Sequence, residues 1–432
     1  MKILYLAHRI PYPPNKGDKL RSYHQLAHLA GNHDVYLASF VDDPHDMQHA
    51  DVTAALCKEQ ALIPLRQTIA KTRGAAGLLM GGTVTESAYR SRAMRDALSN
   101  WQRLVDFDVA FAFSSSMAPY ALSVPADRHV LDMCDLDSHK WTAYGSKGRT
   151  LVDWMYRLEG QRLARREVDW IRTFDATILI SDAETQELKA HERAKVHVIG
   201  NGVHMPEPLP RQDERRAANG STIQYEGGAP ILGFVGVMDY RPNVEGVTWF
   251  VESIWPGIRE AIPHAEFRII GRSPTAKVLQ LGNQPGVTVV GGVEKIEPEL
   301  ARLTISVAPL RMARGVQNKV LEAMAHGLPV VATPEAALGI GARSGQHLLT
   351  TPDATGFIQA VKRLAGSQAL RRRLGLAARQ FVQQQFQWKP LLDRFEQLVC
   401  GVNAPATLSR RLVTGQEHAS AAVERVPAQP SQ

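Results

Sequence analysis

Short runs of β-branched and apolar residues, each followed by a stretch of helical periodicity, recur along this chain and restrict its fold more than any other feature. Strand-like runs fall at Lys2 to Ala7, Asp34 to Phe40, Ala61 to Leu65, Val109 to Phe113, His129 to Asp132 and Ala176 to Ser181. A second series falls at Ile231 to Val237, Ala265 to Ile270, Val287 to Val290, Ile305 to Pro309 and Pro329 to Ala332. Strands that alternate with helices build parallel α/β sheets. A chain of 432 residues exceeds one ordinary core and predicts two domains of about 200 residues each. Between the two series, residues 205–229 are rich in Pro, Arg, Glu and Gly without a sustained period, and so read as a linker. The expected layout is a first domain over 1–204, a second over 230–387, a final amphipathic helix over 388–400 crossing back to the first domain, and a tail from 401. The Ala, Ser, Pro and Gln bias of that tail predicts disorder.

Composition narrows the class. With 44% hydrophobic and 22% charged residues the chain has the balance of a globular enzyme, and no apolar run approaches the roughly 18 residues of a membrane span. The run Ile3 to Ala7 is too short for the core of a signal peptide. A net charge of +7 is modest and matters only where it clusters, so no nucleic-acid partner is expected. Cys57, Cys134 and Cys400 are far apart and odd in number, which points to reduced thiols in a cytoplasm and to neither a disulfide framework nor a zinc cluster. His24 and His28 stand four apart with no third ligand, so no metal is expected. Neither half carries GxGxxG, GxxxxGK[ST] or GxSxG, which removes the central feature of dehydrogenases, P-loop enzymes and α/β-hydrolases.

Chemistry concentrates after particular strands. Arg311 to Val331 reads as a loop with Gly315 at a close approach, then a helix with Val320, Leu321, Met324 and Ala325 on one face. Asn318 is its expected N-cap, and Gly327-Leu328-Pro329 stops it. Its N-terminus, with Arg314 and Lys319, is a seat for phosphate or sugar oxygens, and Glu322 one turn on can accept hydrogen bonds from a ribose. Near the start, the loop Pro11 to Asp18 precedes a helix from about Lys19 to Gly31, so Gly17, Lys19 and Arg21 are expected to look into a cleft. Asp132-Met133-Cys134-Asp135-Leu136-Asp137-Ser138-His139 places three carboxylates and a histidine at a strand's carboxyl end, read either as acceptor chemistry or as caps of the next helix. Residues 149–174 form a helix carrying Arg157, Arg162, Arg165, Arg166 and Arg172, either the solvated face of a core helix or a surface for the inner membrane, with Lys140 and Lys147 nearby.

Glu322-Ala323-Met324-Ala325, Gly327 and Pro329-Val330-Val331 resemble the signature of the group 1, family 4, retaining nucleotide-sugar glycosyltransferases. The RGVQNKVLEAMA form is similar to the subgroup of sugar transferases found with exopolysaccharide and exosortase (PEP-CTERM) systems, over roughly residues 1 to 400. The resemblance implies a GT-B fold, two Rossmann-like domains facing across a cleft, and a nucleotide-sugar (UDP- or GDP-) as substrate with no further cofactor. It implies an acceptor-binding first domain, a glycan or lipid-linked acceptor, and a cytoplasmic enzyme peripheral to the inner membrane. Donor contacts carried over are Gly17, Gly236, Arg241, Gly315, Val316, Gln317, Asn318 and Glu322; catalytic roles fall to Asp135, Arg314 and Lys319. Arg314 stands where the family has a carboxylate, eight residues before Glu322; Val237 and Pro242 or Asn243 stand where it has the Arg and Lys that meet the donor diphosphate. Cys134 takes the place of the basic neighbour of Asp135. Arg314 and Lys319 are therefore expected to replace the missing cations. The alternative is a catalytically silent GT-B protein binding a nucleotide-sugar or a partner in an envelope-assembly complex.

Overall fold

The computed structural model describes residues 1–401 apart from 15, 146, 147, 149, 187, 207–228 and 314. Arg314, Lys147, most of the expected linker and the expected tail beyond 401 lie outside the described residues.

Strands β1 (Lys2–Ala7), β2 (Asp34–Val41), β3 (Glu59–Pro64), β4 (Phe107–Phe113), β5 (Ala126–Cys134), β6 (Ala176–Leu179) and β7 (Val196–Val198) form one sheet, ordered β3-β2-β1-β4-β5-β6-β7. Strands β8 (Ile231–Val235), β9 (Glu266–Ile270), β10 (Val287–Gly291), β11 (Ile305–Ala308), β12 (Val330–Ala332) and β13 (Leu349–Thr350) form a second, ordered β10-β9-β8-β11-β12-β13. Their pairings are parallel in both sheets, the two α/β units that the alternation predicts. In β1 the residues Ile3, Tyr5 and Ala7 enter one core while Leu4 and Leu6 enter another, so the strand is apolar throughout because both of its faces are covered. β13, two residues long, is too short to show a period.

The helices used below are α1 (Gly17–Ala30), α2 (Gln67–Leu79), α3 (Asp137–Gly145), α4 (Leu151–Thr173), α5 (Arg241–Trp249), α6 (Asn318–Ala325) and α7 (Trp388–Cys400). After the second sheet the chain returns to the first. Leu392, Phe395 and Val399 of α7 pack with Leu26 and Leu29 of α1 against Ile3 and Tyr5, and the Phe395 ring meets Phe111 at 5.3 Å. Ile180 and Val203, just beyond β6 and β7, join the core of the second unit, which gives the two units a shared apolar seam.

Strand order reverses between β1 and β4, and again between β8 and β11. At each reversal the connections leave in opposite directions and open a crevice beyond the carboxyl ends of the strands. Two expectations about its walls are corrected. Lys19 and Arg21 do not look into the cleft: α1 begins at Gly17, which rotates both toward the sheet. Lys19 Nζ pairs with Asp46 at 2.8 Å, and Arg21 donates through Nε to Asp132 at 2.8 Å, with Nη2 in ion-pair contact with the same oxygen at 2.8 Å. Nor does α4 present all its arginines on a single free face. Arg162 donates to the carbonyls of Leu78 and Gly82, Arg166 pairs with Glu86 at 2.7 Å and Arg172 with Glu192 at 3.3 Å.

Arg21 and Asp132 are both fully buried. Removing one partner leaves an uncompensated charge in a medium of low polarity, so Arg21→Met is expected to lower stability by about 3–5 kcal/mol in urea unfolding. A loss within about 1 kcal/mol, the value of an exposed pair, would mean that Asp132 finds another partner.

Candidate active site

The first crevice opens after β1 and β4 onto a cavity of about 430 Å³. His8 and Arg9, leaving β1, enter it with Asp18 opposite. Arg9 donates from Nη1 to Asp18 at 2.8 Å and pairs through Nε with Asp42 at 2.9 Å, while His8 Nε2 lies 3.3 Å from the same Asp18 oxygen. These partners hold the Asp18 carboxyl far below the usual carboxylate range in spite of its burial. The imidazole of His8 stacks on Phe113, with Tyr89 edge-on. On the far wall Lys140 Nζ meets Asp137 at 3.0 Å beside Trp141.

The end of β5 decides which aspartate faces this space. Register shifts between Asp132 and Cys134, a bulge, and Cys134 takes the left-handed φ of 65°. The Asp132 carboxylate accepts from the Cys134 amide at 2.9 Å, and the Cys134 carbonyl accepts from Ile180 at 2.8 Å, which fixes the kink. A bulge re-aims the residues beyond it. Here Asp132 stays in the interior and Asp135 lines the cavity. Asp135 Oδ1 is buried with no hydrogen-bond partner among the described residues. Burial first, then Glu184 and Asp137, push the Asp135 carboxyl up to about 7. Leu136 N–H donates to buried Glu184 and Ser138 N–H to Glu167, so these nearby carboxylates serve as caps. Burial pushes Glu167 up to about 8.

The second crevice faces it. Gly315 has φ 62°, and a Cβ added there would collide with Asp135 Oδ1 and come within 2.9 Å of Ile180 Cδ1. Only glycine fits between the two domains at this point. Val316 packs into the core, and Gln317, rather than Asn318, is the N-cap of α6 and makes no side-chain cap. Asn318 therefore occupies the first helical position. Its Oδ1 accepts from Asn201 at 3.2 Å, and a Cβ on Gly17 would lie 3.2 Å from its Nδ2. Thus α1 and α6 start beside each other, and α1 also lacks a side-chain cap. Lys319 Nζ donates to Asn243 Oδ1 at 3.0 Å and Gln317 Oε1 at 3.3 Å, and lies 5.7 Å from the Phe234 ring centre. Burial pulls its pKa down to about 8. Glu322, one turn on, is lifted by burial to about 7 against the pull of Lys319, and its carboxylate has no hydrogen-bond partner among the described residues.

Gly236 sits at the end of β8, where a Cβ would lie 2.7 Å from Asn243 Nδ2. Arg241 is placed differently from Lys319. It is exposed at the start of α5, pairs with Glu245 at 2.7 Å and lies 5.6 Å from the centre of the Tyr144 ring in the first domain. The structure thus brings Asp135, Gly315, Gln317, Asn318, Gly17 and the Lys319 helix start to one interdomain junction. It leaves Arg241 on the rim, and Arg314 is outside the described residues. Sequence reasoning missed His8, Arg9, Tyr89 and Trp141. His8 and Arg9 had a legible signal, a polar pair at the carboxyl end of the first strand, whereas Tyr89 and Trp141 are brought in by tertiary packing alone.

Residues 229–367 match the family model described as glycosyl transferases group 1. HepE of Anabaena, solved in complex with UDP, superposes with a TM-score of 0.64 at 13% identity, over 93% of this chain and 100% of that one. Sucrose-phosphate synthase of Thermosynechococcus elongatus gives 0.65 at 17% identity, over 96% and 100%. WaaG, a glycosyltransferase involved in lipopolysaccharide biosynthesis, gives 0.57 at 16% identity, over 92% and 100%. At such identities the likeness is one of fold. Curated protein sequences give no match.

Asp135 and Glu167 titrate higher in the folded protein, at about 7 and about 8, than ordinary carboxylates at 3.8 and 4.5. The native state then holds their protons when the unfolded chain has released them, so their contribution is fully present at low pH and is lost as pH rises toward 8. The melting temperature of Asp135→Asn or Glu167→Gln minus that of the parent is expected to increase steadily from pH 5 to pH 8. A flat difference would mean that these carboxyls are ionised throughout.

Proposed function

We propose that the chain, whose residues 229–367 match the group 1 glycosyltransferase model within a GT-B frame, is itself a group 1 glycosyltransferase that moves a sugar from a nucleotide-sugar to a glycan hydroxyl with retention of anomeric configuration. The observation that carries the reading is the meeting of two helix starts without side-chain caps, at Gly17 and Asn318, with Lys319 and Glu322 behind one of them and Asp135 across Gly315. Unpaired N–H groups and the positive helix ends suit a diphosphate. Lys319 supplies a cation beside Asn243, one of the two positions at which the expected family lysine is missing. The Glu322 carboxylate can accept hydrogen bonds from ribose hydroxyls. UDP, bound by the HepE structure, is the first nucleotide to try, and GDP the second.

In the proposed transfer the acceptor oxygen bonds the anomeric carbon from the face that the diphosphate leaves. The bond from that carbon to the phosphate oxygen breaks, and the acceptor proton passes to the departing phosphate. Negative charge develops on the leaving group, where Lys319 and the α6 dipole already stand, so little reorganisation accompanies the step. Asp135 accepts a hydrogen bond from the attacking hydroxyl and orients it. We assign the acceptor to the first domain and the donor to the second, and place the reaction in the cytoplasm during assembly of an exopolysaccharide or envelope glycan. Among the described residues no helix is long and apolar enough to cross a membrane. Peripheral contact with an anionic bilayer would draw on Arg157 and Arg165, both exposed, and on the exposed Leu151, Val152 and Trp154 at the start of α4.

Glu322→Ala removes an acceptor that the ribose would use, so calorimetry is expected to show UDP affinity falling by about 1–3 kcal/mol. Unchanged affinity for both UDP and GDP would remove Glu322 from the donor site. Loss of all nucleotide binding together with a lowered melting temperature would mark it as a folding residue.

A further inference from the structure

Resting on that reading, we infer that the acceptor is an uncharged, hydroxyl-rich saccharide, held in the first-domain cavity by donating hydroxyls to His8 and Asp135 while lying against Trp141, and that anionic acceptor groups are refused there. Three features of the cavity converge on this class. The first is a shortage of donors. Buried Asp135 Oδ1 and buried His8 Nδ1 both lack a hydrogen-bond partner among the described residues. With Nε2 turned to Asp18 at 3.3 Å, Nδ1 is the ring nitrogen left to meet a ligand, as an acceptor in the tautomer that carries its proton on Nε2. Two orphaned acceptors call for a ligand that brings O–H groups, which a sugar has and a phosphate dianion does not.

The second feature is the sign of the charge. Arg9 and Lys140 are the cations among the lining residues, and each is already paired: Arg9 with Asp18 and Asp42, Lys140 with Asp137. Asp18 and Asp137 on the wall, with Asp42 behind Arg9, thus already outnumber the two cations, and Asp135 adds a carboxyl that burial pushes up to about 7. An incoming phosphate or uronate would find no free positive partner and would have to lose its water beside a surplus of like charge. The third is the wall. Tyr89, Phe113 and Trp141 line the cavity, and Trp141 is braced from behind by Tyr156 at 5.4 Å and Tyr144 at 6.3 Å. A braced aromatic face suits the apolar C–H face of a pyranose, which is a surface that a bare headgroup lacks.

The test uses the full chain, saturated with UDP, with methyl glucoside, cellobiose and maltose as neutral probes and glucose 6-phosphate and glucuronate as charged counterparts of the glucoside. Binding is read by calorimetry and by saturation-transfer nuclear magnetic resonance. At least one neutral probe is expected to bind about tenfold or more tightly than either charged one, the discrimination expected when buried polar groups go unpaired. Trp141→Ala should cost that probe about tenfold while UDP affinity is unchanged, and Asp135→Asn should narrow the gap between neutral and charged probes. The inference is overturned if a charged probe binds as well as its neutral partner, if no saccharide binds to the UDP complex, or if Trp141→Ala leaves saccharide affinity unchanged. Failure of the donor reading looks different: UDP itself would not bind, and UDP-glucose would not be slowly hydrolysed.

Discussion

Arg21 and Asp132, sealed between α1 and the end of β5, are the contact on which the junction depends. The aspartate takes Nε and Nη2 of Arg21 and the Gln25 amide on one oxygen, and the Cys134 amide on the other. That last bond sets the kink that turns Asp135 outward. Arg21 also donates from Nη1 to the Gly200 carbonyl and to Asn201 Oδ1, each at 3.0 Å, and Asn201 in turn donates to Asn318. One buried ion pair therefore orients the Asp135 carboxyl, the end of the first domain and the first residue of α6. A buried pair contributes little net stability relative to apolar packing, but its directional hydrogen bonds fix one arrangement among several. At this junction, position matters more than strength.

The two domains repeat one solution with different contents. Each presents the crevice at its strand-order reversal to the other, and Gly315 allows the approach by carrying no side chain where Asp135 and Ile180 come close. On one side the cations are neutralised by aspartates; on the other Lys319 donates to the neutral oxygens of Asn243 and Gln317, with Glu322 one turn away. That contrast fits a cleft in which an anion belongs on the second domain and a polyol on the first. Arg241 over Tyr144 touches both at the rim, where exposure makes the contact weak and breakable.

Strand and helix alternation, the two-sheet architecture and the Glu322 helix were legible because they rest on local periodicity. What stayed hidden depends on pairing across distance. Nothing near Asp132 marks it as internal while Asp135 faces the cleft; the difference is a one-residue bulge and a partner 111 positions away. Arg21 beside Gly17 reads as a cleft residue until the helix start fixes its rotation. The arginines of α4 look like one basic stripe along the sequence, and only the docking of Leu78, Gly82 and Glu86 separates them. His8 and Arg9 could have been singled out from their place after β1, since a parallel strand's carboxyl end is where such residues act.

Lys319 and Glu322 are both buried against their charge. The ammonium stands in the first turn of α6, where the helix dipole opposes a cation, and burial draws its pKa to about 8. Asn243, Gln317 and the Phe234 ring offset part of that penalty with neutral partners. Glu322, buried one turn away, is drawn the opposite way to about 7, and the attraction of the lysine does not restore it. Burial thus works against the charged form of both groups. A diphosphate would complete the charge on the lysine, and ribose hydroxyls would stabilise the carboxylate, because each lowers the free energy of the charged form. Binding of the donor and recovery of full charge are then the same event. A nucleoside diphosphate carries both complements, whereas free phosphate or a free nucleoside carries only one.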